Sequence, residues 1–351
     1  MQEQNALISV IMPVYNIRKS AHTFKSAVRS VLQQTYRNIE FLIVNDGSTD
    51  GSEAILNKLE QDDGRIICIC KENGGVESAR REGLQRAKGD FIFHMDQDDL
   101  LDSSALEKMA SAAHKTTADV IVGRIVHFYG IKQFAKYPSA QEKEITISNK
   151  DFMKKYYKGF FGNSLFPVQI WNKLYRRSFL ESIPEPPKTN LYNEDFNYNI
   201  HVLPEARMIV WIPDVTYFYR WGGFTCKKIE HLQEVALSCY RIEMEQIKKY
   251  DLWEFEPSTC IELLNFMNGA IYQEIQFEED KGGGKAKKVC REILSYPEVK
   301  HAISVVQEKS QYRNEHINKM LINDIEGWIF CNRKKAKSER IKTVLKRILS
   351  R

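Results

Sequence analysis

The amino-acid sequence predicts an α/β protein with a mostly parallel sheet flanked by helices, followed by a helical carboxyl-terminal extension. Two observations lead to this prediction. Through about residue 125, short apolar runs rich in β-branched residues alternate with segments of helical apolar spacing. After about residue 225, only helical spacing remains. A β-α-β rhythm is typical of parallel sheets that bind ligands beyond the carboxyl ends of their strands.

Each element is predicted from its own pattern. The expected strands are Ile8 to Met12, Ile39 to Val44, Ile66 to Cys70, Phe91 to Met95 and Asp119 to Ile125. The expected helices include one through Phe24 to Leu32, one from about Ser52 to Glu60 and one from Val76 to Ala87. His94, inside the fourth strand, is expected in the core. The change of pattern divides the chain into residues 1 to 225 and a helical part, residues 226 to 351.

Composition is that of an ordinary soluble globular protein. The net charge of +5 is too small to argue for nucleic-acid binding. Seven scattered cysteines without zinc-ligand spacing favour free thiols, so we expect a cytoplasmic location. We expect neither a secretory signal nor a membrane span, because no window approaches the roughly 18 apolar residues that a span needs.

The segment 333 to 351 carries nine basic residues and one acidic residue, and its apolar residues recur at helical spacing. This pattern predicts a basic amphipathic helix. Such a helix lies on an anionic membrane surface, here the inner face of the inner membrane, or docks on its own domain. The sequence leaves both alternatives open.

Acidic residues directly follow the fourth predicted strand, at Asp96, Asp98 and Asp99. Carboxylates gathered at one strand end repel each other unless a cation or protons offset their charge. Oxygen ligands suit Mg²⁺ or Mn²⁺, which commonly bind one or two carboxylates plus substrate phosphates. The alternative, a capping turn, explains Asp102 but not the three acids before it. A calcium loop would need glycine where Leu101 stands.

Two common nucleotide-binding motifs do not occur in the sequence. The first strand leads into Pro13-Val14-Tyr15-Asn16 rather than a Gly-x-Gly-x-x-Gly turn, and no Gly-x-x-x-x-Gly-Lys-Ser/Thr loop follows. We therefore expect neither a nicotinamide-dependent oxidoreductase nor a phosphate-loop ATPase.

Four motifs do occur in the order and spacing of a known family. They are Ser9 to Asn16, Val44 to Asp50, Asn73 to Gly75 with Ala79-Arg80, and Asp96 to Asp99. Together they resemble the inverting glycosyltransferases of family 2, which have the Rossmann-like GT-A fold. A looser likeness extends to Trp171 to Arg176, Asn193 to Asp195 and Tyr219 to Thr225. The resemblance implies that residues 1 to 225 form a nucleotide-sugar-binding catalytic domain.

The resemblance also implies a site for the nucleotide. Pro13 and Tyr15 would flank the nucleoside base, and the Asp46 carboxylate would accept a hydrogen bond from the polar edge of the base. From the residues alone, Tyr15 is equally a half-buried aromatic side chain, and Asp46 fits an Asx turn. Arg80 would hold phosphate or another part of the donor.

The acids after the fourth strand receive roles from the same resemblance. Asp98 would ligate the metal together with Asp96, which would also bind ribose or sugar hydroxyls, and Asp99 would orient the site. The cofactor, Mn²⁺ or Mg²⁺, would neutralise the departing nucleoside diphosphate. Arg220 would belong to a lid over the diphosphate, although its segment fits an ordinary turn equally well.

Attack by an acceptor hydroxyl requires a base. The resemblance implies Asp195 for this role, with Glu194 as the second candidate. The alternative is that both acids only favour the amino end of a helix. A single direct displacement would invert the anomeric centre.

We therefore expect a metal-dependent inverting glycosyltransferase with a nucleotide-diphosphate donor, a UDP-sugar above all. The acceptor would be a hydroxyl of a glycan or a lipid-linked molecule in bacterial surface polysaccharide synthesis, such as capsule or lipopolysaccharide. Two alternatives stay open, a nucleotidyltransferase that makes nucleotide sugars and a non-catalytic glycan-binding protein.

Overall fold

The computed structural model describes residues 6–129, 132–134, 143–161, 166–189, 193–220, 229, 231–277, 284–310 and 314–349. The described residues form two compact units. The first comprises those within 1–157, 165–190 and 194–223, and the second those within 158–164, 191–193 and 224–351.

The first unit contains a ten-stranded sheet. Its strands are β1 (Ile8–Val14), β2 (Ile39–Asp46), β3 (Ile66–Lys71), β4 (Phe91–His94), β5 (Leu100–Leu101), β6 (Val120–Tyr129), β7 (Lys132–Phe134), β8 (Ile145–Ser148), β9 (Lys173–Arg176) and β10 (Met208–Arg220). The order is β3-β2-β1-β4-β9-β6-β10-β5, with β7 beside β6 and β8 beside β10. Strands β3, β2, β1 and β4 are mutually parallel, so their carboxyl ends meet at one edge.

Helices cover this sheet, which confirms the predicted α/β class. The sheet is mixed rather than mostly parallel, because β5, β7, β8 and β9 pair antiparallel with their neighbours. The helices of the first unit are α1 (Ala21–Leu32), α2 (Ser52–Asp62), α3 (Gly75–Arg86), α4 (Ala105–Lys115), α5 (Asn149–Asp151), α6 (Arg177–Ser182) and α7 (Glu194–Val202). Each predicted strand and helix occurs within a few residues of its expected bounds. The sequence analysis did not predict β5, β7, β8 or β10, or β9, which runs antiparallel between β4 and β6.

Helix α3 lies close to the sheet because Gly83 has no side chain. A Cβ atom built there would lie 2.4 Å from Cγ2 of Ile11, a fully buried residue of β1. This close approach fixes the height of α3 above β1. Arg80, one turn earlier on the same helix, is thereby held at the carboxyl edge of the strands.

The second unit is helical. It contains α8 (Leu232–Tyr250), α9 (Glu256–Phe277), α10 (Gly284–Ser295), α11 (Pro297–Lys309), α12 (Glu315–Leu321) and α13 (Ile325–Leu349). These helices share one apolar core, in which Trp328 is fully buried. The Trp328 indole N–H and the Asn332 amide both donate to Asn268 Oδ1 at 2.8 Å, so these two buried donors are paired. Among the residues described, no helix has the length and apolar character needed to cross a bilayer.

We predict that Gly83→Ala destabilises the first unit. The added methyl group has no room against Ile11, and overpacking of this kind costs about 1–3 kcal/mol. Urea unfolding measures the change. Gly64→Ala is the control, because nothing lies within 4 Å of a Cβ at that position. Equal midpoints for the two variants would contradict the close packing of α3 on β1.

Candidate active site

Three loops meet at the carboxyl edge of β1, β2 and β4. The Tyr15 N–H, after β1, donates to Gln97 Oε1 at 3.0 Å, after β4. The Asn16 N–H donates to Ser48 Oγ at 2.9 Å, in the loop after β2. Pro13 is buried within β1, whereas the Tyr15 side chain is 46% exposed. The structure therefore joins the predicted nucleotide-binding loops and leaves the Tyr15 ring accessible.

Asp46 ends β2 and is almost completely buried. Its Oδ1 accepts hydrogen bonds from Lys71 Nζ and the Gly74 N–H, both at 2.9 Å, and its Oδ2 accepts one from the Gly75 N–H at 2.8 Å. Gly75 has φ +85°, a conformation that favours glycine. Since a carboxylate offers about four acceptor positions, roughly one remains for a ligand.

Arg80 connects two acids that the sequence placed in different motifs. One guanidinium nitrogen, Nη2, donates to Asp96 Oδ1 at 2.7 Å, and the other, Nη1, donates to Asp195 Oδ1 at 2.7 Å. Glu194 Oε1 lies 3.7 Å from Nη1. The Arg80 side chain is only 7% exposed. Asp96, at the end of β4, and Asp195, on α7, therefore belong to one charge cluster.

Burial and charge have opposite effects on this arginine. Burial acts to lower the pKa of Arg80, but the carboxylates of Asp195, Asp96 and Glu194 outweigh it and raise the pKa above its ordinary value. Arg80 is thus a permanent cation. Its Nε finds no acceptor among the residues that the structure describes.

Asp195 and Glu194 lie in the first turn of α7, with side chains 22% and 20% exposed. Burial raises the pKa of the Asp195 carboxyl, while Arg80 and a hydrogen bond from the Ile170 N–H oppose that rise. Burial and the neighbouring Asp195 charge raise the pKa of Glu194 to about 7. Glu194 can therefore accept a proton near neutral pH, and the proton affinity of Asp195 is raised in the same direction.

Asp99 is held by the end of β10. Its Oδ2 accepts a hydrogen bond from the Tyr217 hydroxyl at 2.9 Å, and its Oδ1 accepts one from the Arg220 N–H at 2.7 Å. Arg220 Nε donates to the Asp98 carbonyl at 2.7 Å, and its guanidinium lies 4.5 Å from the centre of the Phe128 ring. Arg220 therefore fixes the turn that carries Asp98. The rest of the expected lid, residues 221 to 225, lies outside the described residues.

The acidic side chains after β4 are suited to a divalent cation whose remaining ligands come from the substrate. Burial and the negative charge of Asp96 raise the pKa of Asp98, and burial with both neighbouring acids raises the pKa of Asp99 well above its usual range. This excess negative charge suits a divalent cation. In the described part of the chain, no group of three or more His, Cys, Asp or Glu could hold a metal. Asp98 and Asp96 would supply the protein ligands, and phosphate oxygens the others.

One buried residue near the site, Lys173, has a structural role that the sequence analysis did not assign. Lys173 is fully buried, and its Nζ donates to the carbonyls of Pro167 and Gln169 at 2.7 and 2.5 Å. It thereby holds the segment from which Ile170 contacts Asp195. Burial lowers the pKa of Lys173 to about 7. The sequence feature that could have indicated its burial is the position of this lysine beside the apolar residues of β9.

His94 occupies the core, as predicted, and is 1% exposed. Neither ring nitrogen has a partner in the part of the chain that the structure covers. Burial, with a smaller effect from Arg80, lowers the pKa of His94 to about 3. His94 is therefore neutral beside the charge cluster.

Comparison with known proteins identifies the family. The model of glycosyl transferase family 2 matches residues 9–183. Glycosyltransferase GlyG of Streptococcus pneumoniae is 30% identical over 61% of this chain and 70% of its own length. The chain belongs to glycosyltransferase family 2. Glycosyltransferase GlyA of the same organism is 28% identical over 61% of this chain, but the match spans only 30% of GlyA.

Solved structures confirm the GT-A fold. TarS residues 1–349 of S. aureus, in a crystal structure with UDP-GlcNAc, superposes with a TM-score of 0.64 at 16% identity. The match covers 95% of this chain and 92% of the TarS chain. The similarity therefore includes the helical carboxyl-terminal region.

We predict that Arg80→Ala lowers the free energy of unfolding by about 3 kcal/mol at pH 8, because three carboxylates lose their shared cation. The loss is expected to be smaller at pH 5. Because the pKa values of Asp195 and Glu194 are raised in the folded chain, it keeps protons that the unfolded chain releases. This difference extends from about pH 4 to the pKa of about 7 at Glu194. Stability therefore falls as the pH rises through this window, and more steeply without Arg80.

The control for Arg80→Ala is Arg86→Ala on the same helix. Arg86 is 64% exposed and pairs with Glu82 one turn away. Exposed pairs of this kind contribute about 0.5 kcal/mol. If urea unfolding at pH 8 gave the two variants equal stability, the charge cluster would not hold the site together.

Proposed function

We propose that this protein is an inverting glycosyltransferase that moves a sugar from a UDP-sugar to a hydroxyl of a glycan or lipid-linked acceptor in bacterial surface polysaccharide synthesis. One observation supports this proposal above the others. Arg80 brings the acid after β4 and the acid on α7 within 2.7 Å of the same guanidinium group. A donor-binding acid and a base for the acceptor have to lie close together in this way, because the hydroxyl attacks the donor sugar directly.

The nucleoside half of the donor would lie over the loops after β1 and β2. Tyr15 presents an exposed ring there, and Asp46 offers a remaining acceptor position. The TarS structure was determined with UDP-GlcNAc, which supports a uridine nucleotide as the ligand of this shared fold. Pro13 would pack beneath the base at the end of β1.

The diphosphate would lie beside Asp98 and Asp96, with Mn²⁺ or Mg²⁺ as the partner that supplies positive charge to the leaving group. Asp99 does not need to touch the substrate in this proposal. With Tyr217 and Arg220 it holds the turn, so that the Asp98 carboxylate stays in place. Arg80 then acts chiefly through Asp96 and Asp195, rather than as a phosphate ligand alone.

Asp195 would take the proton from the acceptor hydroxyl. Arg80 and the Ile170 N–H fix its orientation, and its 22% exposure leaves the carboxylate accessible. The raised pKa brings its proton affinity closer to neutral pH, where base catalysis is most efficient. Glu194 is the second candidate for the base. A single displacement by the activated hydroxyl inverts the anomeric carbon and needs no covalent sugar-enzyme intermediate.

Peripheral binding to the inner membrane would use the carboxyl-terminal helix α13. Phe330 is 67% exposed on this helix, and the exposed cations Arg333, Lys334 and Lys337 follow within two turns. An apolar side chain flanked by cations suits an anionic bilayer surface. The side chains of residues 340 to 351, which complete the predicted basic helix, lie outside the described residues.

We predict that Asp195→Asn retains UDP-sugar binding and loses transfer by at least about a hundredfold, because general-base catalysis contributes about 10²–10⁴. Binding is measured by calorimetry with UDP-GlcNAc and Mn²⁺, and turnover by UDP release over a panel of UDP-sugars and acceptors. Asp98→Ala is expected to lose Mn²⁺-dependent nucleotide binding. Asp62→Asn, an exposed site on α2, is the control. Unchanged turnover in Asp195→Asn would remove Asp195 from the role of base.

A further inference from the structure

Arg81 follows Arg80 on α3 but contacts a different part of the chain. Its Nε and Nη2 donate to Glu77 Oε1 at 3.1 and 2.7 Å, Nη1 donates to Glu185, and Nη2 also donates to the Pro186 carbonyl at 2.7 Å. The Arg81 side chain is only 13% exposed. A guanidinium group has five N–H bonds, and these contacts account for most of them. The hydrogen bonds of Arg81 are therefore made chiefly within the protein, which argues against a role as a phosphate ligand.

The segment 185–189, which Arg81 contacts, has no regular secondary structure. Two consecutive prolines stiffen it, because each fixes its own φ angle and lacks an N–H. Side chains pair its other backbone groups. The Thr189 N–H donates to Glu77 Oε2 at 2.9 Å. The Pro187 carbonyl accepts a hydrogen bond from Asn197 Nδ2, on α7, at 2.6 Å. Side chains of both α3 and α7 thus hold the same stiff segment.

A cavity of about 30 Å³ lies between α3 and α7. Its lining includes Arg80 and Arg81 of α3, Glu194 and Asn197 of α7, and Pro186 of the segment. The side chains of the two helices therefore do not fill the space between them at this point. Because close packing is what normally fixes the distance between two elements, the polar contacts have to fix it here.

Helix α7 is held on two faces. Asn199 anchors one face, because its Oδ1 accepts a hydrogen bond from the Tyr175 hydroxyl of β9 at 2.8 Å. Asn197 lies about 200° around the helix from Asn199 and holds the opposite face through the segment 185–189. The two acids of the charge cluster begin the same helix. Loss of the support on the Asn197 face would therefore let the amino end of α7 shift relative to α3.

We propose that Arg81 is a positioning residue that holds the segment 185–189 against α3 and, through Asn197, keeps the Asp195 carboxylate aligned with the acceptor hydroxyl. This inference rests on the proposed role of Asp195 as the base. Arg81 acts on the reaction only through α7, so the loops after β1, β2 and β4 keep their geometry without it. A small displacement of the base slows transfer steeply, because proton abstraction depends on alignment.

The test is Arg81→Ala, with turnover measured as UDP release from the donor and acceptor that wild type uses best in the panel above. We expect kcat to fall about ten- to a hundredfold, with KM for the UDP-sugar and the calorimetric affinity for UDP unchanged. Amide hydrogen exchange, followed by mass spectrometry, is expected to rise in peptides that cover 185–189 and α7. Peptides of β1 to β4 should exchange at the wild-type rate.

Two further variants frame this result. Arg86→Ala, exposed on the same helix, is the control and should match wild type in kcat, KM and exchange. Arg81→Lys keeps the positive charge with fewer donors. It is expected to show a smaller loss of kcat in the same direction, and it replaces Arg81→Ala if that variant shows no cooperative melting.

A wild-type kcat in Arg81→Ala, or a raised KM for the UDP-sugar, would overturn the assignment, and the second result would make Arg81 a donor ligand. Exchange that rose equally in β1 to β4 would overturn it as well, because the effect would then be a general loss of stability. A wild-type protein that released UDP from no donor in the panel would contradict the proposed function instead. Hydrogen exchange would still decide whether Arg81 holds α7.

Discussion

The contact of one guanidinium group with acids from two distant parts of the chain is the interaction on which the site depends. Arg80 lies on α3, Asp96 follows β4, and Asp195 lies on α7. Separately, Asp96 and Asp195 would repel each other in a partly buried setting. Arg80 offsets that repulsion by pairing with both carboxylates. Gly83 allows α3 to approach the sheet closely enough for Arg80 to reach them. The packing of α3 on the sheet therefore determines where the Arg80 charge lies relative to the acids.

The cluster has more negative than positive charge, and this excess has a consequence for chemistry. Arg80 supplies one positive charge to Asp96, Glu194 and Asp195, while Asp98 and Asp99 add further acid next to it. Burial raises the pKa of both acids of α7, to about 7 for Glu194, and so raises their affinity for a proton. The same imbalance beyond β4 suits a cation that arrives with a diphosphate. In the proposed function, acid-base and metal chemistry would therefore share one edge of the sheet.

The sequence predicted the parts that arise from local patterns. Alternation of strand and helix periods predicted β1 to β4 and their helices, and the polar residues after β1, β2 and β4 predicted which loops lie together at one edge of the sheet. It did not predict β9, because four residues between turns become a strand only by pairing with β4 and β6. Arg80 was assigned to phosphate, since its contact with Asp195 spans 115 positions and no local pattern encodes it. The partnership of Lys71 with Asp46 likewise follows from strand register.

The most direct measurement is a crystal structure of the chain with UDP and Mn²⁺. Our account predicts the diphosphate and the cation beside Asp98, with Arg80 still between Asp96 and Asp195 and with the Asp195 carboxylate facing the phosphate end of the nucleotide. Density for UDP at another surface, or an Asp195 carboxylate turned away from a diphosphate bound at Asp98, would contradict the account.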